Sequence, residues 1–325
     1  MKRQPRKETS KKASTKKQSK SSETSKKQPF QLTKQALQAA VVFGLLVLGA
    51  GVFMWWQVLY TDHQNTFEGA LHETLRTHSV TRTVEQEAGL QSLEQVSRLQ
   101  FGAQAVVYGE TTIRQAGEIT AEVITEEIGT PQRDYVRYVK IQTEERDDEG
   151  ERLDFSEAVG EWGVNESQDG FGESGESFSE AVLGVVPFGK VSASDRRELV
   201  DFAISSGAYN VDYTRVNESS ENGRRIYEYP VTLQPEYYVS YLQKVAEAVG
   251  LTQLQDVDPA SFRNVQPINF TIKVDMLSRQ INEVVFQAQQ DRAESISGYG
   301  ILSQVEVPAN PIPAFELQQR IQSAQ

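Results

Sequence analysis

Cysteine is absent from all 325 residues, and histidine occurs only three times. Without thiols the chain can hold no disulfide framework, no thiolate zinc site and no cysteine-borne lipid. His63, His72 and His78 fall within one predicted helix. At about 100° per residue, His63 and His72 sit about 180° apart and His72 and His78 about 120° apart, so one metal cannot gather them. "HETLRTH" is not H-E-x-x-H either, because the second histidine stands six positions on rather than four. No nucleophile-elbow sequence accompanies them, which leaves a Ser-His-Asp triad without support. The sequence offers no catalytic residue, no metal site and no cofactor site.

Two acidic clusters invite a calcium reading: Asp147, Asp148, Glu149 and Glu151, and the pair Asp256 and Asp258. Neither has the glycine at the sixth position, nor the spaced oxygen ligands, of an EF-hand loop, and both read as solvated turns. Gly170, Gly172 and Gly175 spell a formal G-x-G-x-x-G. A dinucleotide turn needs a buried strand leading into the glycines. Here "GVNESQD" precedes them, so the stretch reads as a flexible acidic loop. Asn165, Asn217 and Asn269 each open an N-x-S/T triplet, and these read as chance matches.

Positive charge is scarce except at one end. Residues 1–35 hold 12 Lys and Arg against 2 Asp and Glu, while the remainder holds 21 against 43. Between the two lies Leu37–Leu59, "LQAAVVFGLLVLGAGVFMWWQVL", 23 residues without a charge. At about 1.5 Å per residue such a helix spans roughly 35 Å, enough for a hydrocarbon core of about 30 Å. Trp55, Trp56 and Tyr60 stand at its C-terminal end, where amphipathic rings favour the membrane interface. The excess of lysine on the other side places the N-terminus in the cytoplasm and the rest outside. The apolar run continues past Gly49-Ala50-Gly51 into the aromatic pair, which favours a retained anchor over a cleaved leader. Residues 1–33 are therefore expected to be a disordered basic cytoplasmic tail, 34–60 a transmembrane helix and 61–325 an extracytoplasmic domain. With no aromatic before Phe30 the lysines offer no platform for stacked bases, so the tail reads as an orientation signal and not as a nucleic-acid partner.

In the outer region, "NTFEGALHETLRTH" puts Phe67, Ala70, Leu71 and Leu75 on one helical stripe. "SVTRTVEQ", "RLQFGAQAVVYGETTI", "EITAEVITEE" and "DYVRYVKIQTEE" are rich in Val, Thr, Ile and Tyr and read as strands. Residues 154–208 interrupt them with a Gly- and Ser-rich loop and two helices, the second capped by Ser194, with Leu199, Phe202 and Ala203 inward. Strands then return. "YNVDYTRV" sets Tyr209, Val211 and Tyr213 on one face, and the turn Glu221–Gly223 leads to Tyr227, Tyr229, Val231 and Leu233. A helix over 235–249 comes next, then a hairpin with Phe270, Ile272, Val274 and Met276 on one face, and a short helix after Pro313. Strands, helices and strands without alternation predict an α+β fold with a mostly antiparallel sheet packed on helices.

"AYNVDYTRVNESSENGRRIYEYPVTL", the helix "PEYYVSYLQKVAEAVG", "INFTIKVDMLSRQINEVVFQA" and "SGYGILSQVEVPANPIP" resemble the second half of LolA-like lipoprotein-carrier domains, in particular the LppX/LprG type. The likeness covers about residues 205–312. It implies a curved sheet, an incomplete barrel wrapped around helices, with an apolar inner face for acyl chains. Two departures stand out: those lipoproteins use an acylated cysteine, whereas this chain has a transmembrane run, and 154–208 reads as an insertion or lid. On this reading Tyr209, Val211, Tyr213, Tyr227, Tyr229, Val231, Phe270, Ile272 and Val274 line a site for a lipid or other hydrophobic molecule, bound without catalysis. The alternative is a structural component of the cell envelope in which helices cover that face completely and the acidic exterior meets a protein partner.

Overall fold

The computed structural model describes residues 44–54, 62–102, 104–117, 119–146, 150–165, 175–286 and 292–324. Residues 44–54 are helical (α1). Among the described residues no helix is long and apolar enough to cross a membrane. Trp55, Trp56, Tyr60 and much of the predicted 34–60 span lie outside them. From Asp62 onward the chain belongs to one compact unit.

That unit is built on a 13-stranded sheet. The first meander is β1 (Ser79–Ala88), β2 (Gln91–Phe101), β3 (Ala105–Gln115), β4 (Ala121–Gly129) and β5 (Asp134–Thr143), succeeded by the short β6 (Gly163–Asn165). The second group is β7 (Tyr209–Val211), β8 (Asn217–Glu221), β9 (Arg224–Leu233), β10 (Ile268–Asp275), β11 (Ile281–Phe286) and β12 (Arg292–Ser297), with β13 (Ile312–Pro313) last. Spatial order runs β13-β6-β5-β4-β3-β2-β1-β12-β11-β10-β9-β7, with β8 also on β9. β1 and β12 join the two halves, Arg82 facing Ile296 and Val84 facing Glu294. Each pairing of these strands is antiparallel except β13 on β6. The α+β, mostly antiparallel architecture is thus the one the sequence pattern predicts.

Local chemistry places the elements. Asn222 and Gly223 both take positive φ, 50° and 78°, which closes the β8–β9 hairpin as a two-residue turn. α2 (His63–Thr74) starts at Asp62, whose carboxylate accepts from the Gln64 and Asn65 backbone N–H groups. Its stripe Phe67, Ala70, Leu71 and Leu75 is completely buried. α5 (Pro235–Val249) begins with proline and ends at Gly250 in the left-handed region. The 154–208 region contributes α3 (Glu176–Val182) and α4 (Ala193–Ser205), whose Phe178, Val182, Leu199 and Ala203 join the main core. α6 (Ala314–Ser323) lays Leu317 against Gly163.

Three local readings are corrected. Ser192, not Ser194, caps α4, its Oγ accepting from Asp195 N at 3.3 Å. Phe202 is half-buried with the Lys244 ammonium 4.9 Å from its ring centre. The strand predicted through Tyr213 stops at Val211, because Asp212 Oδ1 accepts from Thr214 N and Oγ1 and starts a 3-10 turn over Tyr213–Arg215.

Candidate ligand-binding site

Seven of the nine predicted site residues, Tyr209, Tyr227, Tyr229, Val231, Phe270, Ile272 and Val274, are at most 2% exposed, and Val211 and Tyr213 pack half-buried at the edge of the same core. Helices cover them. The Phe67 ring lies 5.2 Å from that of Tyr229 and 6.3 Å from that of Tyr209. Tyr238 and Tyr241 of α5 approach Tyr209 at 5.7 and 5.8 Å, and His63 meets Tyr227 edge-on at 4.7 Å. Distances of this kind are those of packed aromatic pairs.

The hydroxyls are placed as well as the rings. Tyr209 Oη donates to Val185 O at 2.7 Å, Tyr229 Oη to His63 O at 3.0 Å and Tyr238 Oη to Gly184 O. Burial drives the Tyr209, Tyr229 and Tyr238 hydroxyls well above the ordinary tyrosine range, and burial with nearby Glu68 and Asp62 pushes Tyr213 up to about 12. All four remain neutral at physiological pH, and among the described residues the buried Tyr213 hydroxyl has no hydrogen-bond partner. Val211 and Val231 also border a polar recess of about 490 Å³ with Asp212, Arg215 and Asn269.

The first meander is covered differently. Among the described residues its main helical cover is α3, seven residues long. Alternation along the strands turns Val80, Arg82 and Val84 of β1, Leu99 and Ser97 of β2, Val107 and Gly109 of β3, and Gly129 and Glu127 of β4 to the helix side. Leu99, Val107 and Gly129 sit under α3 so closely that a Cβ on Gly129 would stand 2.7 Å from Phe178 N. One row further along the strands the packing loosens, and a cavity of about 340 Å³ opens between the sheet and α3. Arg82, Ser97, Gly109, Glu127 and Arg292 form its sheet wall, and Ser177, Glu180, Ala181 and Leu183–Val185 its other side, with Tyr238. A groove of about 320 Å³ lies on the far side of Leu183 and Glu180, bordered by Ser179, Leu242 and Leu254.

Charge in the cavity is divided. Glu294, 2% exposed, receives Arg82 through Nη2 at 2.7 Å and Nε at 2.9 Å, and Arg292 through Nη2 at 2.8 Å. Arg292 also lies over the Phe286 ring at 4.9 Å. Among the described residues Glu127 has only Ser177 Oγ at 3.5 Å, and burial, then Asp134 and Glu180, raises its carboxyl above the usual range. Asp134, likewise raised by burial, accepts from the backbone N–H groups of Gly175 and Glu176 at 2.9 and 2.8 Å.

This last contact bears on the glycine motif. Gly170 and Gly172 lie outside the described residues, but Gly175 precedes α3, and a carboxylate of the chain itself occupies the N–H groups a phosphate would use. Among the described residues no three His, Asp or Glu side chains are placed to hold one metal ion. Sequence reasoning missed Arg82, Glu127, Glu180, Arg292 and Glu294. The available signal was phase: Arg82 falls between Val80 and Val84 on the inward side of β1, where a lone charge requires a partner.

Against known proteins, no family model and no curated sequence matches the chain. Among solved structures it is similar to LprF from Mycobacterium bovis, at 12% identity and a TM-score of 0.42, over 76% of this chain and 97% of that one. At that score the likeness says nothing about ligand, partner or anchoring.

Proposed function

We propose that this chain is a single-pass membrane protein, N-terminus in the cytoplasm, whose domain over 61–325 lies outside the plasma membrane and binds a lipid or other hydrophobic molecule without transforming it. The cavity of about 340 Å³ beneath the first meander carries the reading, together with the apolar groove that shares Leu183 and Glu180 with it. A space of that size falls at the lower end of small-molecule sites. The uncharged run Leu37–Leu59 and the charge division on either side of it support the anchor. In this view the open sheet curves round its helices, and the nine inward residues from Tyr209 to Val274 line a site only when α2 or α5 lifts away.

The second reading, a structural or partner-binding component of the envelope, is favoured by one observation: α2 and α5 pack the β9–β10 half solid. Residues 62–325 form a compact unit with its own core, so they can be expressed without detergent. Native mass spectrometry should then show co-purifying lipid, or uptake of a fluorescent fatty alcohol. An apo mass with no uptake sinks the binding reading and leaves the envelope one. Protease added outside intact cells should remove the C-terminal domain; its survival beside digested surface controls would refute the topology.

A further inference from the structure

The cavity under the first meander carries charge of both signs, and the strand register keeps the signs apart. Arg82, Ser97, Gly109 and Glu127 stand side by side across β1, β2, β3 and β4 on the helix side of the sheet. Three strand spacings put about 14 Å between the first Cα and the last. The two residues between are small, so the arginine and the glutamate stand at opposite ends of a low floor. At the β1–β12 end, Arg82 and Arg292 share the single carboxylate of Glu294, which leaves one positive charge in excess. Among the described residues Arg292 Nε has no hydrogen-bond partner either. At the β4–α3 end, Glu127 and Glu180 have no lysine or arginine within ion-pair distance among the described residues, since both arginines of the cavity go to Glu294. Such a site disfavours a lone cation and a lone anion alike, because each meets like charge at one end. Beyond the cavity the same face turns apolar. Two rows along the strands, Leu93, Ile113, Val123 and Ile141 stand abreast across β2 to β5, with Ile113 43% exposed.

We propose that the cavity takes the head group of a zwitterionic amphiphile, its anionic group toward Arg82 and Arg292, its protonated amine toward Glu127 and Glu180, and its hydrocarbon on the apolar row. This rests on the binding reading and specifies the polar part of the ligand. An aminoethyl phosphate head has the required form. Its phosphate oxygens accept from guanidinium N–H groups, its ammonium brings three donors to the two carboxylates, and the short link between them lies over Ser97 and Gly109.

Calorimetric titration of residues 62–325 with lauroyl lysophosphatidylethanolamine, lauroyl lysophosphatidic acid, dodecylamine and monolauroylglycerol, each below its micelle concentration, tests it. The zwitterion should bind at least tenfold tighter than each of the other three. Variants then separate the two ends. E127Q/E180Q should lose the preference over lysophosphatidic acid and keep that over dodecylamine. R292Q, in which Glu294 still holds Arg82, should do the reverse, and R292K should keep both preferences. A singly charged or uncharged compound that binds as tightly as the zwitterion overturns the zwitterion site while leaving a hydrophobic binding protein. So does a preference that survives in the variant lacking its end of the cavity. Absence of binding by all four compounds overturns the binding reading as well.

Discussion

β9 and β10 bury their inward side chains under α2 and α5, whereas among the described residues the main helical cover of β2, β3 and β4 is the seven-residue α3. The two halves share one sheet, joined through β1 and β12, and both present alternating inward residues. They differ in what those residues are. On the β9–β10 side the inward positions are large and apolar, and the Tyr209 and Tyr229 hydroxyls find backbone carbonyls at the margins. On the β2–β4 side the inward row reads Ser97, Gly109 and Glu127, too small or too polar to fill the space below a short helix. Dense aromatic packing marks the β9–β10 half and a cavity the other, a division that suits the proposed binding role.

Mutations can break this contrast in order of effect. Phe67→Ala, which empties the space among Tyr209, Tyr213 and Tyr229, should cost about 3–5 kcal/mol in urea unfolding of residues 62–325. A loss below about 1 kcal/mol would mean that α2 is not packed as described. Gly129→Ala, at the point where α3 and β4 touch, should cost about 1–3 kcal/mol, since the new Cβ meets Phe178 N at 2.7 Å and Val107 Cγ1 at 2.8 Å. On β3, one row along the sheet, Gly109→Val should do the opposite. A Cβ there has only Glu127 Cβ at 3.7 Å and Glu127 O at 4.0 Å, so stability should rise by about 0.5 kcal/mol while ligand uptake falls. If both glycine variants lose stability equally, there is no cavity between the sheet and α3.

The smallest effect is a pH dependence. Burial, with Asp134 and Glu180 nearby, holds the Glu127 carboxyl above its unfolded value. The folded state therefore favours the protonated form, and ionisation of Glu127 lowers stability at neutral pH. Glu127→Gln should unfold at higher urea than the wild type at neutral pH, and the gap should close as pH falls through the raised value toward the usual carboxylate range. A gap that widens toward acid would contradict this environment.

Much of the frame was legible in the residues alone, and the reasons differ by element. Phe67, Ala70, Leu71 and Leu75 stood out as one face because a helix buried along one stripe repeats at its own period. The β8–β9 turn was legible because Asn-Gly takes positive φ readily. β12 was not, since "RAESIS" places a buried Glu294 where a strand pattern calls for an apolar side chain, and its strongest partner, Arg82, lies 212 positions earlier. The cavity was hidden for a similar reason. Ser97, Gly109 and Glu127 come from three strands and look unremarkable in each. Only the β2–β3–β4 register sets them side by side.

Asp134 stands at the start of β5, in the hairpin that leads out of β4, and holds the first amides of α3. The short helix is thereby latched to a hairpin corner at its start, while Phe178 and Val182 seat it in the core. Moving it would break those two hydrogen bonds and the contact at Gly129, and would also draw Phe178 and Val182 out of the core. The tyrosine-lined half would register any such movement, because Tyr209 and Tyr238 hold the carbonyls of Val185 and Gly184 just beyond the helix.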